Sequence, residues 1–358
     1  MPKKIILIIV VIIILIAGGG FIYFLNQISV PVSGESSEKL FLIESGQGVK
    51  EISANLKKEG LITNDFVFQT YIWLKKQGSK LQAGEYDLPQ NLNMVDLTRV
   101  LVSGEALSKE RVAKIIEGWN NSEIADYLSQ FYLEDNKDQN RSEEEIKEEF
   151  KTEFSRAVAV TDSRELIPEK SYSFLIDKPA DQGLEGFLFP DTYRVYKKSE
   201  TAHIIEKMLD NFDQKLSEDL RTEIKRQEKT IFEIVTLASI IEQEVRTVKD
   251  RKLAAGIFYK RLEQSIPLES DATVNYVTGK QKLQPSYKDT KAESLYNTYL
   301  HPGLPPGPIC NPGLDSLEAA VYPEESDYLF FLTKPDGSTV FSKTYEEHLA
   351  NKRKYLDD

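Results

Sequence analysis

The spacing of apolar and polar residues changes segment by segment along the chain. Residues 5–25 show no period, because 21 consecutive residues carry no charge and most are Ile, Val or Leu. As a helix rising about 1.5 Å per residue, this run would cross roughly 30 Å of hydrocarbon, the core of one bilayer. Lys3 and Lys4 precede it and no cation follows before Lys39, so the positive-inside rule keeps residues 1–4 cytoplasmic and sends the rest outward. A cleaved signal peptide is the competing reading, since Ala17-Gly18-Gly19-Gly20 offers small residues. The apolar run resumes with Phe21-Ile22-Tyr23-Phe24-Leu25, and no lipobox cysteine is present, which suits an uncleaved anchor. Residues 26–39, with Pro31, Gly34, Ser36 and Ser37, read as a tether.

From Leu40 the periods become those of folded elements. Phe41-Leu42-Ile43 predicts a strand, Ser45-Gly46-Gln47-Gly48 a turn, and Val49, Ile52 and Leu56 the apolar stripe of a helix. A second helix is predicted over 65–77, a strand over 84–88, and a third helix on Met94, Leu97, Val100 and Leu101 that stops at Ser103-Gly104. A weak internal repeat follows. Gly46, Ile52 and Leu56 recur 72 residues later as Gly118, Ile124 and Leu128, behind a strand-like run at 112–116. Three matched positions fit both chance and a common strand-turn-helix unit. The sharper reading is a small β-α module at 40–106, resembling the LysM domains that pack against glycan chains, with a degenerate second copy inside 107–182.

Residues 134–153 are rich in Glu and Lys and read as a solvated helix face or hinge closing the 107–182 connector. At 183–193 the Gly/Pro-punctuated aromatic run GLEGFLFPDTY marks the start of a C-terminal domain over 183–358. Helical periods run over 201–227 and 230–264. Prolines and glycines then crowd residues 302–313, short strands are predicted near 328–332 and 339–341, and a closing helix begins at Tyr345. The fold class is α+β: a transmembrane helix, a LysM-like β-α module and a mixed α+β C-terminal domain.

Composition narrows the function. Acidic residues outnumber basic ones 57 to 45, for a formal charge of −12 without a segregated basic block, so nucleic acid is excluded as a partner. One cysteine, Cys310, and three scattered histidines, His203, His301 and His348, argue against a metal site or a disulfide framework, although intermolecular pairing through Cys310 stays open. No P-loop, dinucleotide fingerprint or nucleophile elbow occurs. No cofactor is expected.

The stretch 231–245 holds the clearest candidate chemistry. On a helix, Glu244 shares its row with Ile241, Ile240 and Leu237, whereas Glu242 shares its row with Ser239, Ala238 and Val235. The two carboxylates thus point to different faces. Desolvation in the bulkier apolar row would raise the pKa of Glu244 and keep it protonated, as a general acid requires; the plainer reading from spacing alone is a surface residue at a helix end. Glu242 has Arg246 one turn on, the favourable order for an i, i+4 ion pair. The Pro/Gly loop carries Asn311 and follows Tyr296-Asn297-Thr298-Tyr299; it is either stiffened to pack on the core or shaped to offer amide and phenol groups to a sugar. Glu185 and Asp271-Ala272-Thr273 are further polar residues among apolar ones, each of them, taken singly, a cap or core hydrogen-bonding group before it is a catalyst.

The run LASIIEQE at 237–244 resembles the endolytic murein transglycosylases, the MltG or YceG-like family, as do EGFLFPDTY at 185–193, SDATV at 270–274, YNTY at 296–299 and GLPPGPI at 303–309, in the same order. The resemblance implies a YceG-like catalytic domain and an enzyme, a lyase that cuts the β-1,4 bond between N-acetylmuramic acid (MurNAc) and N-acetylglucosamine (GlcNAc) inside nascent peptidoglycan strands and leaves a 1,6-anhydroMurNAc end. The catalytic glutamate is the second of the family's E-x-E pair, which falls on Glu244. Supporting or substrate-binding residues would be Glu185, Ser239, Glu242, Asp271, Thr273, Tyr296, Asn297, Tyr299 and Asn311. Gln243, Glu269 and Ala272 depart from the family's usual Lys, Gln and Pro, which bears on the fine preference of the groove. Implied partners are glycan strands, the plasma membrane and the peptidoglycan synthesis machinery. A lysozyme-like hydrolase, with Asp271 or Glu242 as second carboxylate, and a non-catalytic wall-binding scaffold are the rival readings.

Overall fold

The computed structural model describes residues 18–33, 38–104, 110–137, 140–168, 170–196, 199–280 and 285–356. Residues 5–17 of the expected span lie outside the described residues. Residues 18–29 are helical (α1), so the helix continues into the segment expected to be a tether. Among the described residues, no helix is long and apolar enough to cross a membrane. The chain forms two compact units, 1–111 with 196–198, and 112–195 with 199–358.

In the first unit, strand β1 (Glu38–Ile43) pairs antiparallel with β2 (Gly84–Pro89), with Glu38 opposite Pro89 and Ile43 opposite Gly84. Helices α2 (Val49–Lys58) and α3 (Asp65–Lys75) lie between these strands in sequence, and α4 (Met94–Ser103) follows. Local signals set the ends. Asn64 accepts from the Val67 amide to start α3, Asn93 accepts from the Asp96 amide to start α4, and Gly104 closes α4 in the left-handed region (φ 72°). The apolar stripes Ile52–Leu56, Phe68–Ile72 and Leu97–Leu101 meet Phe41, Tyr86 and Leu88 in one core, which also takes Ile28 of α1.

The second unit repeats the order strand-helix-helix-strand before it departs from it. Strand β3 (Glu110–Lys114) leads to α5 (Asn121–Asp135) and α6 (Glu143–Val158), and pairs with β4 (Thr192–Tyr196). The starts of β3 and α5 fall 72 residues after those of β1 and α2, the displacement read from three residues alone. Capping boxes open α5 and α6. Although α6 carries the polar run, it buries Ile146, Phe150 and Phe154 on one face. Phe150 and Phe154 join Phe174, Phe187 and Phe212 in a core shared with the C-terminal elements, and residues 112–195 form one compact unit with 199–358.

The two long helical periods each break. Residues 201–227 form α7 (Thr201–Lys215) and α8 (Glu218–Arg226), where Ser217 caps a new start; residues 230–264 form α9 (Ile231–Glu244) and α10 (Val248–Glu263). Helices α11 (Asp271–Thr278) and α12 (Leu314–Val321) complete the packing around α9, the hairpin β5 (Phe330–Thr333)/β6 (Thr339–Ser342) is antiparallel, and α13 (Tyr345–Tyr355) closes the chain. Cys310 is fully buried with its thiol pKa pushed up by burial, so intermolecular pairing through it is not available.

Close packing on α10 supplies a test. Gly256 lies against the main chain of residue 324, and a Cβ added there would stand 2.1 Å from the Glu324 carbonyl oxygen. Helix propensity alone makes Gly→Ala favourable by roughly 0.5–1 kcal/mol. The backbone contact reverses that sign: Gly256→Ala is expected to cost about 2 kcal/mol by overpacking. Urea unfolding measures it, and an unchanged or raised midpoint would show that the contact is not as close as described.

Candidate active site

The position of the chemistry follows from where α9 stops. Its first turn is closed by the capping box of Thr230 and Glu233, and every residue from Ile234 to Ile241 is buried, so core surrounds the helix on all sides. At Val245 the chain turns extended (φ −138°, ψ 145°), and Thr247 accepts from the Asp250 amide at 3.1 Å to open α10. Glu244 is thereby the last residue of α9. Its main-chain carbonyl, one of the acceptors a helix end leaves unpaired, takes the Thr333 hydroxyl at 2.8 Å.

The Glu244 side chain is partly buried and opens onto a cavity of about 1270 Å³. Its Oε1 accepts from the Ser270 hydroxyl at 2.5 Å and from the Ala272 amide in the first turn of α11 at 3.3 Å. Among the described residues no hydrogen bond reaches Oε2. Burial raises the carboxyl pKa to about 7; the Ser270 bond opposes this, the Asp271 carboxylate adds to it, and the Ala272 amide opposes it. The negative end of the α9 dipole acts in the same sense as burial. The arrangement is a carboxyl that keeps a substantial protonated fraction near neutral pH, with one oxygen clamped and the other available to a ligand, as a general acid requires.

Asp271 and Tyr299 line the same cavity, and the Tyr299 hydroxyl donates to Asp271 Oδ1 at 2.7 Å. Burial raises the Asp271 pKa, against the Tyr299 bond and the Lys352 charge. A second carboxyl with a raised pKa, Glu185, also lines the cavity. It accepts from the Asn121 amide at 3.1 and 3.2 Å and from Asn311 Nδ2 at 3.3 Å, and burial pushes its pKa up to about 8.

Glu242 has a different environment. Its Oε1 pairs with Arg251 Nη2 at 2.6 Å, its Oε2 accepts from the Gly313 amide at 3.0 Å, and both charged side chains are under 10% exposed. The expected i, i+4 pair with Arg246 does not form, because α9 ends before Arg246, whereas α10 brings Arg251 back to Glu242.

Five of the expected residues are not part of the cavity lining. Ser239 accepts from the Ile309 amide at 3.0 Å, and so fastens the Pro/Gly loop to α9. Asn311 is fully buried: Oδ1 accepts from the Leu188 amide at 2.9 Å, while Nδ2 donates to Trp119 O and Asn121 Oδ1, each at 3.0 Å. Asn297 bridges the carbonyls of Thr290 and Ala292, and Thr273 ties the carbonyl of Ser270 to the hydroxyl of Thr298. Tyr296 packs on Tyr276 with centroids 5.1 Å apart and donates to Gln182. These groups hold the loops in place and spend their polar atoms on protein.

Ser270, which donates to Glu244, was missed as a site residue; the contact spans 26 residues, and no local period can show it. The turn at 117–120 was missed as well. It lines the cavity with Glu117 and Trp119, and Gln243 donates to the Gly118 carbonyl at 2.5 Å. Its one signal was the repeat, which put Gly118 in a strand-to-helix turn. Among the described residues, no group of three His, Cys, Asp or Glu could hold a metal ion.

Comparison with known proteins follows the same residues. The YceG-like family model matches residues 41–354. An endolytic murein transglycosylase of Bacillus subtilis (strain 168) is 33% identical over 327 residues, 91% of this chain and 87% of that protein. One of Streptococcus pneumoniae (strain D39) is 31% identical over 94% of this chain, which spans 61% of that longer protein. A crystal structure of a YceG-like protein from Listeria monocytogenes, 31% identical, superposes with a TM-score of 0.55 over 88% of this chain and 100% of that one. A match over most of the chain, in both sequence and fold, means that this protein belongs to the YceG-like family.

Proposed function

We propose that this protein is an endolytic peptidoglycan lytic transglycosylase with Glu244 as its sole acid and base. The observation that carries the reading is the buried Glu244 carboxyl, with a pKa of about 7 and one oxygen left to a large cavity. The names of the bacterial relatives support the same activity.

The chemistry balances without water. Glu244 gives its proton to O4 of GlcNAc as the C1–O4 bond to MurNAc breaks, and positive charge spreads over C1 and the ring oxygen. The ionised Glu244 then takes the proton of the C6 hydroxyl as O6 bonds to C1. One carboxyl serves both half-steps, a 1,6-anhydro ring closes, and the acid is restored. Asp271, held by Tyr299, is placed to balance the developing positive charge, and Glu185 offers a neutral carboxyl to a sugar hydroxyl or N-acetyl group. Glu242 stabilises the end of α9 through Arg251.

Residues 5–25 are read as the single-pass anchor, supported by the uncharged run and by Lys3 and Lys4, with the body outside the plasma membrane. The LysM-like reading of 40–106 is supported by the order β1-α2-α3-β2 and its antiparallel pair, and assigns that unit to glycan positioning. The hydrolase reading survives in one form, with Asp271 as second carboxylate.

Glu244→Gln is expected to lower release of anhydro-ended muropeptides by at least about 10²–10⁴-fold while glycan binding persists. Mass spectrometry of digests by the purified protein measures this, and reducing ends in place of anhydro ends would establish the hydrolase. Glu242→Gln is expected to lower stability instead, by about 3–5 kcal/mol, because Arg251 loses its buried partner. If the folded Glu242 variant is inactive and the Glu244 variant active, the roles are reversed.

Glu185 predicts a dependence of stability on pH. Its folded pKa of about 8 lies above the unfolded value, so the native state binds the extra proton and stability falls as pH rises from the ordinary carboxylate range through about 8. Glu185→Gln keeps the acceptor for Asn121 without the charge. Between about pH 6 and about pH 9 its urea midpoint should fall less than that of the unaltered protein. Parallel falls would mean that Glu185 is ionised in both states.

A further inference from the structure

Helix α3 buries Val67, Phe68, Tyr71 and Ile72 in the core of the first unit, yet leaves Phe66 74%, Trp73 75% and Leu74 56% exposed. Single exposed apolar residues are ordinary, but here Phe66, Trp73 and Leu74 stand at i, i+7 and i+8, on one outward face of a helix that ends in Lys75 and Lys76. A face with aromatic side chains and lysines at its edge matches the headgroup region of a bilayer, where amphipathic rings sit and lysine amines reach lipid phosphates.

The location of α3 relative to α1 identifies the occupant. Residues 5–25 carry no charge, and α1 continues from that run directly onto the first unit, with Ile28 in its core and Phe24 packed against it. Thr63 donates to Gln27, and Asn64, the residue that caps α3, donates to the Tyr23 hydroxyl at 3.5 Å. The first turn of α3 is therefore level with residues 23–27, where the uncharged run ends. A bilayer spanned by residues 5–25 would have its headgroups at that level. Around α1 the exposed residues Phe21, Ile22, Tyr23 and Leu25 are of the same kind.

We infer that the outward face of α3, through Phe66, Trp73 and Leu74, seats in the outer-leaflet headgroup region of the membrane that holds the anchor. The inference rests on the anchor reading and adds that the first unit lies against the lipid surface, not free on a tether. A membrane-seated first unit would hold this part of the protein close to the surface where nascent strands emerge.

Trp73 and Trp119 are the two tryptophans of the chain, so Trp119→Phe leaves Trp73 as the single reporter. The full-length variant is reconstituted into phosphatidylglycerol/phosphatidylethanolamine vesicles, with and without lipid brominated near the top of the acyl chain. The expected result is flotation with the vesicles, a blue-shifted Trp73 emission, loss of emission to brominated lipid and protection from aqueous iodide. Failure to float would overturn the anchor and the seat with it. Flotation with Trp73 open to iodide and indifferent to bromine would overturn the seat alone. Protection by soluble glycan fragments in place of lipid would assign the face to glycan and likewise overturn the inference.

Discussion

The proposed chemistry depends on the desolvation of one carboxyl group. Glu244 stands at the C-terminal end of a helix that is apolar on nearly every side, where both burial and the helix dipole disfavour its charge. The Ser270 hydroxyl and the Ala272 amide pull the other way, and the balance leaves a pKa of about 7. A stronger grip would ionise the group and remove the proton that the proposed mechanism needs. A weaker one would leave its orientation undefined, and proton transfer depends on orientation as much as on pKa.

Much of the second unit serves to hold that balance. The Pro/Gly loop is fastened at Ser239 and Asn311, and the latter also gathers the amide of Leu188 and the carbonyl of Trp119. The buried Glu242–Arg251 pair joins the end of α9 to α10 and, through the Gly313 amide, to the same loop. Such a pair adds little stability relative to apolar side chains of the same volume, but it has one satisfied geometry. Here that geometry holds the end of α9, which the Thr247 cap fixes, against α10.

The sequence showed the elements better than their joints. Strand β1, helix α4 with its Gly104 stop and the final helix from Tyr345 were legible because the strand has its own apolar run and each helix its own period and cap. The breaks after Lys215 and Glu244 were not, since apolar spacing continues across both and the interruption comes from single caps, Ser217 and Thr247. In the candidate site, the desolvation of Glu244 was legible from its apolar neighbours at i−3, i−4 and i−7, whereas Ser270 and the turn at 117–120 reach the cavity, and Arg251 reaches Glu242, only through tertiary folding. Asn297 and Asn311 illustrate the limit in reverse: amides in a rigid loop can face a sugar or bind the protein's own backbone, and in this fold they do the latter.

The most direct measurement is the titration of Glu244 itself. Carbon-13 NMR of glutamate carboxyl groups in the folded protein, with the resonance assigned by its absence in Glu244→Gln, follows the side chain through its ionisation. A midpoint near 7 is the result this account requires. A midpoint in the ordinary carboxylate range would contradict it, because the group would then be ionised at neutral pH and have no proton to give.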